Sequence, residues 1–196
     1  MTQPRRNIEL LLLGLGPTTK LSESGINGIT RFQKLLFLLA NEESIPEVSK
    51  AFEFTPYKAG PYSSKLYDDL ELLENLGLIT SESTAEASEP EKAELQALRF
   101  EELMGDGGND SSGEILDSAE GADSYEEKRF RLSEKGQEHV QELLSTEKYK
   151  SIADAIGRVK SKYANYSLGD LLFHVYTKFP EMATESEIKE KVLRSH

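Results

Sequence analysis

The stretch Lys65-Leu-Tyr-Asp-Asp-Leu-Glu-Leu-Leu-Glu-Asn-Leu-Gly-Leu-Ile-Thr80 changes character at a single glycine. Before it, Leu66, Leu70, Leu73 and Leu76 recur at a spacing of three to four residues, which is the apolar stripe of an amphipathic helix. Gly77 suits the left-handed residue that ends such a helix. Leu78 to Ser81 then reads as a strand leaving it. Lys128 to Leu132, with Phe130 and Leu132 on one face, reads as its antiparallel partner. A helix that runs directly into a two-stranded hairpin is the decisive half of the fold.

Upstream, Pro61 is expected in the first turn of that helix, with Ser63 or Ser64 as its cap. Ala51 to Tyr57 alternates Phe52, Phe54 and Tyr57 with polar residues, as an extended or edge strand does. Ser44 to Lys50 reads as a loop or short turn. Thr30 to Asn41 is a strong helix with Phe32, Leu35, Leu36, Leu38 and Leu39 inward and Arg31 and Lys34 outside that face. Ile8 to Leu15 is a short helix buried on most sides, closed by Gly14, Gly16 and Pro17. Its apolar run, Leu10 to Leu13, is too short to span a membrane.

Downstream, Ser133 caps a helix that reaches Leu144. Tyr149 to Tyr163 is a further amphipathic helix, and Ser167 to Phe179 is another, closed by Pro180. Ser186 to Leu193 is a terminal turn.

Between the two hairpin strands lies an insert. Residues 82 to 127 carry 15 acidic side chains against Lys92 and Arg99, a local charge of −13 in a chain of net charge −12. The rest of the chain therefore sums to +1, so the acidic pI of 4.8 misdescribes the folded part. Leu95 to Met104 suggests a helical turn or two, and Gly105 to Gly113 has the composition of disorder. A hairpin tip accepts such an insertion cheaply, because loop closure costs only a logarithm of the added length.

The order of elements describes an α+β, mostly helical protein. It is a winged helix-turn-helix with a C-terminal helical extension and a long acidic insert at the wing tip. The expected organisation is a winged-helix domain over 1–81 and 128–145, the insert over 82–127, and a helical extension over 146–196 packed on the same core.

Three segments carry a family resemblance. They are Gly28-Ile-Thr-Arg-Phe-Gln-Lys-Leu-Leu-Phe-Leu-Leu39, Phe52-Glu-Phe-Thr-Pro-Tyr-Lys-Ala-Gly-Pro-Tyr-Ser63 and Asp69-Leu-Glu-Leu-Leu-Glu-Asn-Leu-Gly-Leu-Ile79. In that order they resemble prokaryotic winged-helix-like proteins similar to the Panacea (SocA-like) antitoxin domain. The matching motifs are Arg31-Phe-Gln-Lys-Leu35 and the turn Tyr57-Lys-Ala-Gly-Pro61. Tyr166 to Pro180 is similar to the C-terminal part of the same group. The resemblance implies the fold, and it implies antitoxin or regulator roles for some relatives.

Little in the chain suggests catalysis. There is no cysteine, hence no disulfide, no thiol nucleophile and no Cys-based zinc site, which fits a reducing cytoplasm. His174 sits among apolar residues as a core or interface histidine, His139 lies on a polar face, and His196 is terminal. None has a metal-site partner at helical spacing. Asp68, Asp69, Glu71 and Glu74 read as a solvated helix face rather than paired catalytic carboxylates. Gly14-Leu-Gly16 lacks the rest of a dinucleotide fingerprint, and Gly105 to Gly113 lacks calcium-loop register. No enzyme, cofactor or metal is expected.

Basic residues point to double-stranded DNA. Lys58, Ser63, Ser64 and Lys65 surround the start of the expected recognition helix, and Lys128, Arg129 and Arg131 form the base of the wing. In winged-helix binding the helix enters the major groove while the wing meets the backbone. The acids Asp68, Asp69, Glu71 and Glu74 on the same helix oppose this, and the insert competes for any basic face. The expected function is a cytoplasmic DNA-binding transcriptional regulator, with the acidic insert either a gate on that binding or a solvated linker. The alternative is a protein-interaction or antitoxin-like module without DNA contact. In that case Tyr163, Tyr166 and Phe179 on the C-terminal helices either form a homodimer or partner seam or serve as extra core.

Overall fold

Apolar periodicity and end signals account for most of the elements. The computed structural model describes residues 3–84, 127–186 and 188–194. The bulk of the acidic insert, including Leu95 to Met104 and Gly105 to Gly113, lies outside the described residues. The fold is α+β and mostly helical, with small antiparallel sheets.

Helix α1 spans Pro4–Gly14 and begins earlier than the leucine run suggests, because Pro4 supplies a preset first turn. Strand β1, Ile26–Asn27, leads into α2, Ile29–Glu42. These two helices form the centre of the core. Leu10 to Leu13 and Phe32, Leu36, Phe37, Leu38 and Leu39 are each at most 1% exposed, so both helices are surrounded on most sides.

A short helix α3, Pro46–Phe52, occupies what reads in sequence as a loop. Pro46 starts it, and Val48 and Phe52, one turn apart, tie it to the core. Strand β2, Thr55–Tyr57, then pairs antiparallel with β3, Gly60–Tyr62, across the turn Lys58-Ala59. Pro61 therefore lies in a strand opposite Pro56, and not in the first turn of the next helix. That helix, α4, is Lys65–Asn75. Gly77 follows it at φ +68°.

Strands β4, Ile79–Thr84, and β5, Glu127–Leu132, pair in register from Ile79↔Leu132 to Thr84↔Glu127. Strand β1 joins the other edge of β5, giving the order β1-β5-β4. Helix α5, Glu134–Leu144, starts at Ser133, whose hydroxyl accepts the Gly136 amide at 3.0 Å. Helices α6, Glu147–Tyr163, and α7, Leu168–Lys178, follow. The latter is held at its start by a reciprocal cap between Ser167 and Asp170. A 3-10 turn, Pro180–Ala183, and helix α8, Lys189–Arg194, complete the described chain. No described helix is long and apolar enough to cross a membrane.

The hairpin and α5 meet without room for a side chain. A Cβ on Gly136 would lie 2.0 Å from the Leu78 carbonyl oxygen, a backbone atom that cannot rotate aside. Gly136→Ala is expected to destabilise the protein by about 2 kcal/mol or more, in the range of core overpacking. Urea denaturation of the two chains measures it, and equal midpoints would refute it.

Candidate functional site

The loop preceding α4 is set by α2. Gln33 is 2% exposed, and its Oε1 accepts the Ser63 amide at 2.8 Å. Lys34 is 3% exposed and donates from Nζ to the Pro61 carbonyl at 3.0 Å. Lys34 thus lies inside the protein rather than outside the apolar face of α2. Burial alone pulls its pKa down to about 7. Gly60, at φ +85°, lies against the Tyr176 ring, which leaves no space for a Cβ. The Arg31–Leu35 segment of α2 and the Gly60-Pro61 start of β3 are therefore two halves of one hydrogen-bonded joint.

This joint corrects one expected DNA contact. Ser63 is 3% exposed, and its hydroxyl donates to the Phe52 carbonyl at 2.6 Å. It fixes the turn and presents nothing to a ligand. Ser64 is exposed at the N-cap of α4, without a side-chain cap bond. Lys65 is paired with Glu53 at 2.6 Å. Lys58 is half-buried in the β2–β3 turn.

The outward face of α4 is acidic. Asp68, Glu71, Glu74 and Asn75 are exposed, and Leu76 just beyond the helix is 44% exposed. Asp69 departs from the sequence reading, because its side chain is fully buried. It accepts hydrogen bonds from Arg5 Nε and Nη2, the latter at 2.8 Å, and from Arg6 Nε at 2.8 Å. Burial pushes the Asp69 carboxyl up, but the hydrogen bonds from Arg5 and Arg6 outweigh it and leave the group below its ordinary value. Glu9 lies beside it, fully buried, and Asp69 is the hydrogen-bond partner of its acid form. Burial, and then the Asp69 charge, push Glu9 well above the usual carboxylate range, so the fold accommodates its acid form.

The three cations of β5 do not form one surface. Side chains alternate along a strand, so Arg129 and Arg131 share one face while Lys128 lies on the Phe130 side. Arg129 donates from Nε to the Ser24 carbonyl at 2.8 Å, and Arg131 Nη1 lies 3.4 Å from Glu82 across the hairpin. Lys128 is exposed.

Sequence reasoning missed a charged cluster centred on Glu42, at the end of α2. Its carboxylate accepts from Lys162 Nζ at 2.7 Å, Lys178 Nζ at 2.6 Å and the Tyr163 hydroxyl at 2.6 Å. His174 Nε2 lies 2.8 Å from both Glu42 Oε1 and the Tyr163 hydroxyl. Burial pushes the Glu42 carboxyl up, yet these four hydrogen bonds outweigh it and hold it far below the ordinary range. Burial, then the hydrogen bond to Glu42, raises the Tyr163 hydroxyl well above that of a free tyrosine. A carboxylate so tightly held is a poor base, and a phenol so raised is a poor acid. The cluster works as an electrostatic clasp between α2, α6 and α7. The only sequence signal is the acid pair Glu42-Glu43, since the partners lie more than 100 residues away.

The clasp also settles where the C-terminal aromatics go. Tyr163 is 3% exposed, Tyr166 is half-buried, and Phe179 packs edge-on against Phe37 with ring centroids 5.0 Å apart. Tyr163 is part of the core, and Tyr166 and Phe179 pack against it while staying partly exposed. His139 is half-buried, with Nε2 3.2 Å from Asn7 Oδ1. Among the described residues no group of histidine and carboxylate side chains could hold a metal ion.

Compared with known proteins, the chain matches no family model, and no curated protein is significantly similar to it.

Proposed function

We propose that the chain is a winged-helix regulatory module that acts by binding a basic protein partner, as an antitoxin-like protein would. The winged-helix reading draws on the succession α1, β1, α2, α4, β4, β5 and on the sheet order β1-β5-β4. In it α4 occupies the recognition-helix position and β4–β5 the wing, with α3 and the β2–β3 hairpin filling the turn. The observation that carries the partner reading is the outward face of α4. It offers Asp68, Glu71 and Glu74, while the cation at its start, Lys65, is paired with Glu53. Phosphates would be repelled by this face and lysine- or arginine-rich protein surfaces attracted to it.

A second reading, DNA binding through the wing, is favoured by Arg129 and Arg131 on one face of β5 and by exposed Lys128. One experiment separates the two. Anisotropy of labelled duplex DNA is titrated with the full chain at low and high salt. In parallel, partners captured in the native cell are compared by quantitative mass spectrometry between the wild type and the D68K/E71K/E74K variant. The expected result is no salt-sensitive DNA binding, together with a specific basic partner lost from the variant. DNA binding that weakens steeply with salt, with no partner distinguishing the two chains, would replace this reading with the second.

A further inference from the structure

A cavity of about 390 Å³ opens where β1, α2, β5 and the α6–α7 corner meet. Lys160 of α6 lines it together with Arg129 of β5, and no described aspartate or glutamate does. Lys160 is half-buried and makes no hydrogen bond or ion pair with any described residue. An ammonium so placed has lost part of its water and gained no counter-charge, which favours the neutral amine. Its neighbour on the same helix, Lys162, has the opposite surroundings. It is exposed, and its Nζ donates to Glu42 at 2.7 Å.

A neutral lysine amine is a nucleophile, and desolvation in a pocket is one of the ways proteins make one. Burial brings the Lys160 pKa down to about 8. About a tenth of it is then free amine at pH 7, against about 0.04% of a lysine in water. The lining also holds a place for a negative charge. Arg129 is fixed by its Nε, which donates to the Ser24 carbonyl at 2.8 Å, and its Nη groups make no hydrogen bond or ion pair with any described residue. Arg31, the third cation of the lining, belongs to the wall, where its Nη1 donates to the Tyr166 carbonyl at 2.9 Å.

We propose that Lys160 forms an imine with a small aldehyde that carries an anionic group, with Arg129 holding the anion. The Lys160 nitrogen lone pair attacks the aldehyde carbon, and the carbonyl electron pair moves onto oxygen. That oxygen takes both protons of the amine in turn and leaves as water, which makes the C=N bond. One amine and one aldehyde give one imine and one water, and nothing is oxidised or reduced. The cavity lies at the small end of ligand pockets and suits a molecule of about one ring. Tyr166 offers ring surface to it, and Ile26, Leu35 and Leu168 an apolar wall. This chemistry does not depend on what α4 recognises.

Reductive labelling of the full chain at pH 7 tests the proposal. The chain is treated with 4-formylbenzoate and cyanoborohydride, which fixes each imine as a stable secondary amine. Peptide mass mapping then gives a rate for every lysine. Exposure alone would put Lys162 ahead of Lys160. The expected result is the reverse, with Lys160 modified at least about tenfold faster, since its free-amine fraction exceeds that of an ordinary lysine by about 200-fold. Benzaldehyde has the same ring without the carboxylate, and it is expected to lose most of that excess at Lys160. Arg129→Gln, checked for folding by circular dichroism, is expected to bring the rate with 4-formylbenzoate down to that with benzaldehyde. Labelling of Lys162 that equals or outruns Lys160 overturns the proposal, and so does an equal excess at Lys160 with benzaldehyde, which would leave no anion site. Both comparisons use the unaltered chain.

Discussion

Asp69→Ala is expected to destabilise the protein by about 3 kcal/mol at pH 7, the cost of leaving buried ion-pair partners without their counter-charge. Asp69 is fully buried, and it is the shared acceptor for Arg5 and Arg6, whose side chains are 19% and 20% exposed. Partial exposure lets the two guanidinium groups recover some hydration, which keeps the effect at the lower end of the range for buried pairs. The ion pairs join the first turn of α1 to α4, so their loss frees the helix that carries the proposed interaction face. Because Asp69 is held below its ordinary pKa in the folded state, it stabilises the fold above its unfolded value. That contribution disappears as pH falls below about 4. Urea titrations of both chains at pH 7 and at low pH should therefore give a gap that narrows in acid. A gap under about 1 kcal/mol at pH 7, or one that does not depend on pH, would mean that the pairs are solvent-screened.

Glu9 supplies the control with the opposite sign. Its folded pKa is raised, so the folded chain holds a proton that the unfolded chain has released, and stability falls as pH rises above the unfolded value. Glu9→Gln mimics the protonated form and removes that slope. It is expected to equal the wild type in acid and to exceed it at pH 7.

Lys34→Met should make the protein more stable at pH 7 and lose that advantage by about pH 10. Lys34 is 3% exposed, and its pKa falls to about 7 through burial. An unfolded lysine titrates near 10.4, so between about 7 and 10.4 the unfolded chain binds a proton that the folded one does not. Stability therefore rises with pH through that window, and the full cost, at most about 4–5 kcal/mol, is present below it. Methionine fills the same volume without charge. It also abandons the Pro61 carbonyl, a loss of about 1–3 kcal/mol. The expected net gain is about 2 kcal/mol at pH 7. Chemical denaturation of the two chains from pH 6 to 10 measures the difference, and parallel curves would show that Lys34 does not titrate in the folded protein.

Both sites show what limits the reading of a candidate site from sequence. The Lys65–Thr80 pattern located α4, its end and the following strand, because periodicity, glycine and caps act within a few residues. Ser133 and Ser167 marked helix starts for the same reason. Helix α3 and strand β3 escaped notice because seven- and three-residue elements hold their shape through contacts with the core rather than through their own propensity. Lys58 is half-buried and Ser64 exposed, whereas Ser63 is drawn inward by Gln33 and Phe52.

What the sequence by itself determined is local: the main helices, the β4–β5 pair, the capped helix starts and the concentration of acid between Glu82 and Glu127. What only the tertiary structure decided is the fate of the charges. A charged side chain is read as outward-facing because dehydrating it is costly, and only a partner brought from far along the chain offsets that cost. Asp69 finds Arg5 and Arg6 more than 60 residues away, and Glu42 finds Lys162, Tyr163, His174 and Lys178 at 120 or more. Arg31, Arg129 and Lys160 converge on one cavity from three elements. Periodicity carries no information about such distances, because electrostatic energy depends on separation in space and the sequence records separation only along the chain.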